Sequence, residues 1–173
     1  MPNKSKTVNE SYTINTEIVL PNDTNTLGNL MGGRLMHWVD IVAAIAAQRH
    51  CQRVVVTAAV NNISFDHPIK LADVVTLKAQ VSRAFTSSIE VFVEVSVENF
   101  TNGSIKKCNE AILTFVAVDQ LGNPIHVPEL LPKTEEEQKR FAAALRRRQL
   151  SLLIAGKLKP SDANELRNYL FQA

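Results

Sequence analysis

Cysteine is scarce: the 173 residues hold two, Cys51 and Cys108, far apart and outside any CxxC spacing. That excludes a disulfide framework and leaves no paired metal ligands, so no metal is expected. An excess of one charge is also lacking. Lys and Arg number 19 against 17 Asp and Glu, a formal net charge of +2, far short of the basic surplus that marks nucleic acid as a main partner. A local basic patch for a phosphorylated small molecule is compatible with that balance. Long apolar runs are absent: none approaches the roughly 18 residues that a membrane span needs. The opening MPNKSKTVNESYTIN holds no apolar segment of secretory type, so a reduced, cytosolic setting is expected. Repeats and low-complexity tracts are missing too.

What is present reads as one domain with an appendage. Residues 1–12 are polar and are expected to be loose. Thr13 to Leu20 alternates toward an apolar set and reads as an edge strand ending at Pro21. Asn22 to Asn29 is dense in loop formers. Leu30 to His50 has no proline, many alanines and apolar residues at helical spacing, so it reads as a helix. It is apolar nearly all round and should be buried. Arg49 and His50 in its last turn would complement the helix dipole.

Strand patterns follow. Val54 to Val60 is a β-branched run, followed by Ile63-Ser64-Phe65 and a turn at Asp66-His67-Pro68. Val75 to Val81 and Ile89 to Val97 alternate cleanly. Asn102-Gly103 is a hairpin signal, and Cys108 to Val118 is apolar on both faces, as a central strand would be. A second helical region opens near Pro132, with Thr134 and Glu137 spaced as a capping box. It runs to about Ala155, and a short helix starts within Ser161–Glu165. The predicted class is therefore α+β: an antiparallel β-sheet wrapped around one long helix, with extra C-terminal helices. Open sheet edges in such a design favour pairing with a second copy.

Three features carry chemistry. Asp40 sits two turns inside the apolar helix, flanked by Val39, Ile41 and Val42. A carboxylate there is either a structural residue with a fixed partner or a general base or nucleophile. Gly32-Gly33 stands at the helix start. Bare amides at that end suit the oxygen of a polarised carbonyl, although the pair also serves simple helix initiation. Asn25 in the preceding loop can hold a water, but asparagine is equally an ordinary turn residue. The reading requires Asp40 to face the same space as the bare amides at the start of its own helix.

The stretch Leu20-Pro21-Asn22-Asp23-Thr24-Asn25, continued by Gly28 to Asp40, resembles the signature of the hotdog-fold acyl-CoA thioesterases of the brain-type and YciA-like group. Val56 to Val60, Phe65 with Pro68, Ser87-Ser88-Ile89 and Thr114 to Asp119 match in order, so the resemblance spans about residues 13–130. It implies a hotdog domain over 13–130 with a helical extension over 131–173. It implies acyl-CoA hydrolysis to free acid and coenzyme A, CoA being part of the substrate and no separate cofactor being needed. Asp40 would be the catalytic carboxylate, Asn25 of a partner subunit would orient the water, and Gly32 and Gly33 would hold the thioester carbonyl. Relatives of this kind assemble as hexamers, trimers of hotdog dimers. For CoA the resemblance implies the turn at Arg83, Ser87 and Ser88, which could also be plain solvent-exposed hairpin. Relatives often carry a basic residue near position 86, where this chain has Thr86, and glycine where it has Ala72.

Other candidates are weaker. His67 reads as a turn residue beside Asp66, and His37 as a packing or interface residue. Arg146-Arg147-Arg148 reads as a solvated helix face, or alternatively as charge for CoA phosphates. A non-catalytic acyl-CoA-binding module is the runner-up, and a hotdog dehydratase, which would want a histidine on the helix, comes third. An acyl tunnel is expected between helix and sheet, near Trp38, Ile63 and Phe65.

Overall fold

The computed structural model describes residues 5–63 and 67–171. They fall into two units, divided between Leu131 and Pro132. In the first, β1 (Lys6–Thr7) leads through a short 3-10 turn into β2 (Thr13–Ile18), and the long helix α1 (Gly32–Cys51) follows. Then come β3 (Val54–Ile63), β4 (Val74–Ala84), β5 (Ser88–Glu98), β6 (Ile105–Val118) and β7 (Leu130–Leu131). Five strands form an antiparallel sheet in the order β2-β4-β5-β6-β3. Its inner residues, among them Leu77, Val91, Leu113 and Phe115, are buried with Leu35, Val39, Val42 and Ala46 of α1. This is the helix-on-sheet solution that the two periodicities demanded, with β3 left as an edge.

The N-terminal expectation is corrected. Within residues 6–12, β1 pairs in parallel with β7, and Val8 and Ser11 are buried. Ser11 Oγ accepts from the Val81 amide at 2.9 Å, locking the segment onto β4. Polarity suggested a loose tail, but only Val8 needs to be apolar for this anchor. Residues 1–4, Ser64, Phe65 and Asp66 lie outside the described residues, so the turn and tunnel expectations on the last three do too.

α1 is not apolar on all sides in effect. Leu35, Trp38, Val42, Ala43, Ala46 and His50 are buried, whereas Ile41 and Ile45 stay 41% and 38% exposed. The dipole expectation is half corrected. His50 is fully buried, Nε2 lies 2.8 Å from the Pro128 carbonyl, and burial pushes its pKa down, so it is no cation at the helix end. Lys6 supplies that charge instead, its Nζ donating to the Arg49 carbonyl at 2.7 Å. Arg49 itself reaches back to the Tyr12 carbonyl and the Thr13 hydroxyl.

The second unit holds α2 (Glu135–Ile154) and α3 (Asn164–Phe171). Thr134 caps α2 as expected, its hydroxyl accepting from Glu137 N at 3.2 Å while the Glu137 carboxylate accepts from Thr134 N at 3.0 Å. Arg146 stacks on Tyr169 and pairs with Glu165, and Gln149 accepts from Leu166 N, so the two helices hold each other. No helix among the described residues is long and apolar enough to cross a membrane.

Candidate active site

The loop before α1 is built by its own backbone. Gly28 takes φ +72°, a left-handed turn that glycine adopts freely. Asn25 N donates to Asn29 O, and Asn25 Oδ1 accepts from Leu27 N at 2.9 Å and Asn29 N at 3.2 Å. Two backbone donors on one atom fix which end of that amide is oxygen. The carbonyl of exposed Asn25 is therefore committed, and its NH2 is the end left to act outward.

Asp23 ties this loop to the helix. The sequence reading passed over it as a loop former, yet it is 7% exposed. Oδ2 accepts from Leu20 N at 3.0 Å, Oδ1 meets Arg34 Nε at 2.7 Å, and its carbonyl accepts from Met31 N at 2.8 Å. Gly32 and Gly33 are the first two helical residues. Arg34 and Leu35 already donate to Met31 O, whereas the two glycine amides have no acceptor within the helix. Space for a Cβ at Gly33 is open, and Met31, Gly33, Arg34 and His37 line a depression of about 360 Å³.

Asp40 lies half-buried on α1 rather than sequestered. The Thr57 hydroxyl of β3 donates to its Oδ1 at 2.8 Å. Thr57 is the partner of Asp40 that pattern reading missed; the one signal was a hydroxyl in an otherwise aliphatic run. Thr57 stands on the edge strand β3, whose Val54, Val56 and Val60 are 63%, 48% and 43% exposed.

The helix rise separates two residues that the reading placed together. Gly33 and Asp40 are seven residues apart, about 10 Å along the axis at 1.5 Å per residue. Asp40 and the glycine amides of one chain therefore do not serve one carbonyl. No hydrogen bond joins Asn25 to Asp40 within the chain either.

The CoA candidates occupy one turn. Ser88 is buried, Ser87 and Arg83 are half-buried, and the Arg83 guanidinium lies 5.4 Å from the Phe85 ring centre. The turn is held by Phe85 N to Ser88 O, Ala117 N to Ser87 O and Val127 N to Thr86 O. Ile89, Phe115 and Thr57 pair in one row. The turn thus starts two strand spacings, about 10 Å, from the strand that holds Asp40. His67 is exposed and His37 lines the depression at the helix start. Ala72 adopts φ +70°, where relatives were expected to have glycine.

Comparison with known proteins decides the family. The thioesterase superfamily profile matches residues 27–101, and a Bacillus subtilis protein named an uncharacterized acyl-CoA thioester hydrolase is 44% identical over 128 residues, 74% of each chain. The chain belongs to the thioesterase superfamily. Mouse acyl-coenzyme A thioesterase 11 is 38% identical over 144 residues, but the chain spans only 24% of that protein. An apo-hexameric acyl-CoA thioesterase superposes with a TM-score of 0.84 at 36% identity, covering 88% of this chain and 97% of its own. The hotdog fold is thereby shown for this superfamily member. An acyl-CoA hydrolase from Staphylococcus aureus superposes at a TM-score of 0.82 and 34% identity over 99% of both chains. It has been solved as single alanine variants of an asparagine, an aspartate and a threonine, and these three follow one another at the separations of Asn25, Asp40 and Thr57.

Proposed function

We propose that this superfamily member hydrolyses acyl-CoA to free acid and coenzyme A, at sites shared between two copies of the chain. The carrying observation is Asp40: a half-buried carboxylate with one oxygen fixed by Thr57 of β3, an edge strand whose Val54, Val56 and Val60 stay exposed. Such an edge invites a second β3, and closing it would cover Val54, Val56, Val60, Ile41 and Ile45. The helix rise supports the same arrangement, because a partner is needed to bring Gly32, Gly33 and Asn25 opposite Asp40. The hexameric relative with 36% identity supports an oligomer, and a hexamer of this chain would be a trimer of such dimers.

Chemically, Asp40 takes a proton from a water held by the partner's Asn25, and the water oxygen attacks the thioester carbon. The Gly32 and Gly33 amides stabilise the negative oxygen that develops. The C–S bond then breaks, and the CoA thiolate recovers the proton from Asp40. Arg83, Ser87 and Ser88 are proposed as CoA contacts on their position near the Thr57 row. Attack by Asp40 itself, through an acyl-aspartyl intermediate, is the alternative route. Mixing protein with a panel of acyl-CoAs and a thiol reagent should show CoA release. In Asp40→Asn it should fall by at least about a hundredfold with the fold intact; undiminished release sinks the assignment. A binding module without turnover would show acyl-CoA affinity by calorimetry and no release from the wild type.

A further inference from the structure

The thioesterase reading leaves one basic cluster unused. Where β4 begins and β5 ends, Lys70, Lys106, Asn99, Asn102, Ser104 and Asp73 line an indentation of about 310 Å³, at the small end of ligand-pocket volumes. Charge in it is not balanced. Lys107, next along β6, pairs with Glu94 and Glu110, whereas neither Lys70 nor Lys106 has an ion pair among the described residues. Asp73 is the one carboxylate among the described lining residues, and it is 4% exposed. Its Oδ2 accepts from Lys70 N at 2.9 Å and its Oδ1 from Asn99 Nδ2 at 3.5 Å, so both oxygens are turned to the protein.

The carboxamides add donors to the lysines. Asn99 Oδ1 accepts from Thr101 N at 3.0 Å and Asn102 N at 3.2 Å, and Asn102 Oδ1 accepts from Ser104 N at 2.9 Å. Backbone donors thus fix which atom of each amide is oxygen, and the Asn102 NH2 has no acceptor among the described residues. Two ammonium groups, a spare amide NH2 and the Ser104 hydroxyl share one hollow whose carboxylate and amide oxygens are already taken. Such a set suits a compact, multiply charged oxyanion, since lysine serves phosphate as a point charge. The hollow is also braced to the loop that opens α1. Asn29 and Lys70 form a β-bridge, Leu30 N donates to Ile69 O at 2.7 Å, and Leu71 N donates to Gly28 O at 3.0 Å.

We propose that Lys70, Lys106 and Asn102 form a binding site for a phosphate monoester, at the opposite end of β4 and β5 from the turn at Arg83, Ser87 and Ser88. A monoester carries close to two charges at neutral pH, which matches two lysines better than a single carboxylate does. Two sources offer this group: a free phosphorylated small molecule, and the 3′-phosphate of coenzyme A seated at a shared site. The binding site stands apart from the thioesterase reading; only the coenzyme source rests on it.

The test uses the full chain with inorganic phosphate as the probe. Thermal unfolding is followed in about 20 mM phosphate and in chloride of equal ionic strength. Wild type is compared with the double variant Lys70→Gln with Lys106→Gln, and with the same pair changed to Arg. Both lysines are exposed, and midpoints in chloride check the fold. Phosphate stabilises proteins generally, so the reading is the difference between chains. It should lift wild type by about 2 °C or more beyond the Gln variant, and the Arg variant should keep most of that difference. An equal lift in wild type and the Gln variant overturns the proposal. KM for acyl-CoA and acyl-3′-dephospho-CoA separates the sources. A penalty of about tenfold for the missing phosphate, lost in the Gln variant, assigns the coenzyme. An unchanged penalty beside a wild-type-specific lift assigns a free phosphorylated ligand. Absence of hydrolysis of every CoA thioester overturns the thioesterase reading instead, and the thermal comparison still decides the site.

Discussion

At the scale of single residues, the site depends on orientation. Asp40 has no bulky cage; Thr57 holds one of its oxygens and so sets the direction of the other. Thr57→Val keeps the shape and removes the donor. The expected result is a fall in kcat of up to about a hundredfold, the scale of a small misplacement of a catalytic group, with KM changed far less. Equal loss in both parameters would instead assign Thr57 to substrate binding. His50 makes a second prediction, about stability. Burial lowers its pKa below the ordinary 6.5, so the unfolded chain takes up the proton first. Its contribution is therefore fully present above pH 6.5 and is lost as pH falls below that value toward the folded pKa. The urea midpoint should drop between pH 7.5 and 5.5, and His50→Gln should flatten that dependence.

At the scale of elements, helix ends and loop closures set the geometry. The 23–34 segment is a belt, Asp23 gripping Leu20 N, Met31 N and Arg34 so that the Asn25 turn and the glycine amides keep one relation to each other. α2 is a plainer case. Its N-terminus is held by the Thr134–Glu137 capping box, and Thr134→Ala should cost that unit about 1 kcal/mol, read as a loss of helicity on heating by circular dichroism. Both devices were legible to different degrees. The α2 capping box has a fixed spacing and was read directly, whereas the contacts of Asp23 with Met31 and Arg34 depend on how the intervening loop folds back.

At the scale of the whole molecule, the exposed β3 edge and the open face of α1 are the dominant facts. Val54, Val56 and Val60 on a free edge, with Ile41 and Ile45 alongside, form the surface that a single chain leaves uncovered. Val56→Lys places a charge where the second copy would sit, an edge device that blocks strand pairing. Light scattering should show a smaller species for this variant, and CoA release should fall with it although Asp40 is untouched. A variant that kept its mass would show that β3 is not the contact.

Sequence alone determined the element order, the long helix and the alternating strands, because hydrophobic period and capping chemistry are local properties. It also singled out Asp40, Asn25 and Gly32-Gly33 as candidates, since each is unusual in its own surroundings. The tertiary structure decided the rest. It anchored residues 6–12 through Val8 and Ser11, made His50 a buried neutral group, and supplied Thr57 as the partner of Asp40. It also set Asp40 about 10 Å from its own helix start. Those are distances across the fold, fixed by strand register and helix rise, and no pattern along the chain encodes them one residue at a time.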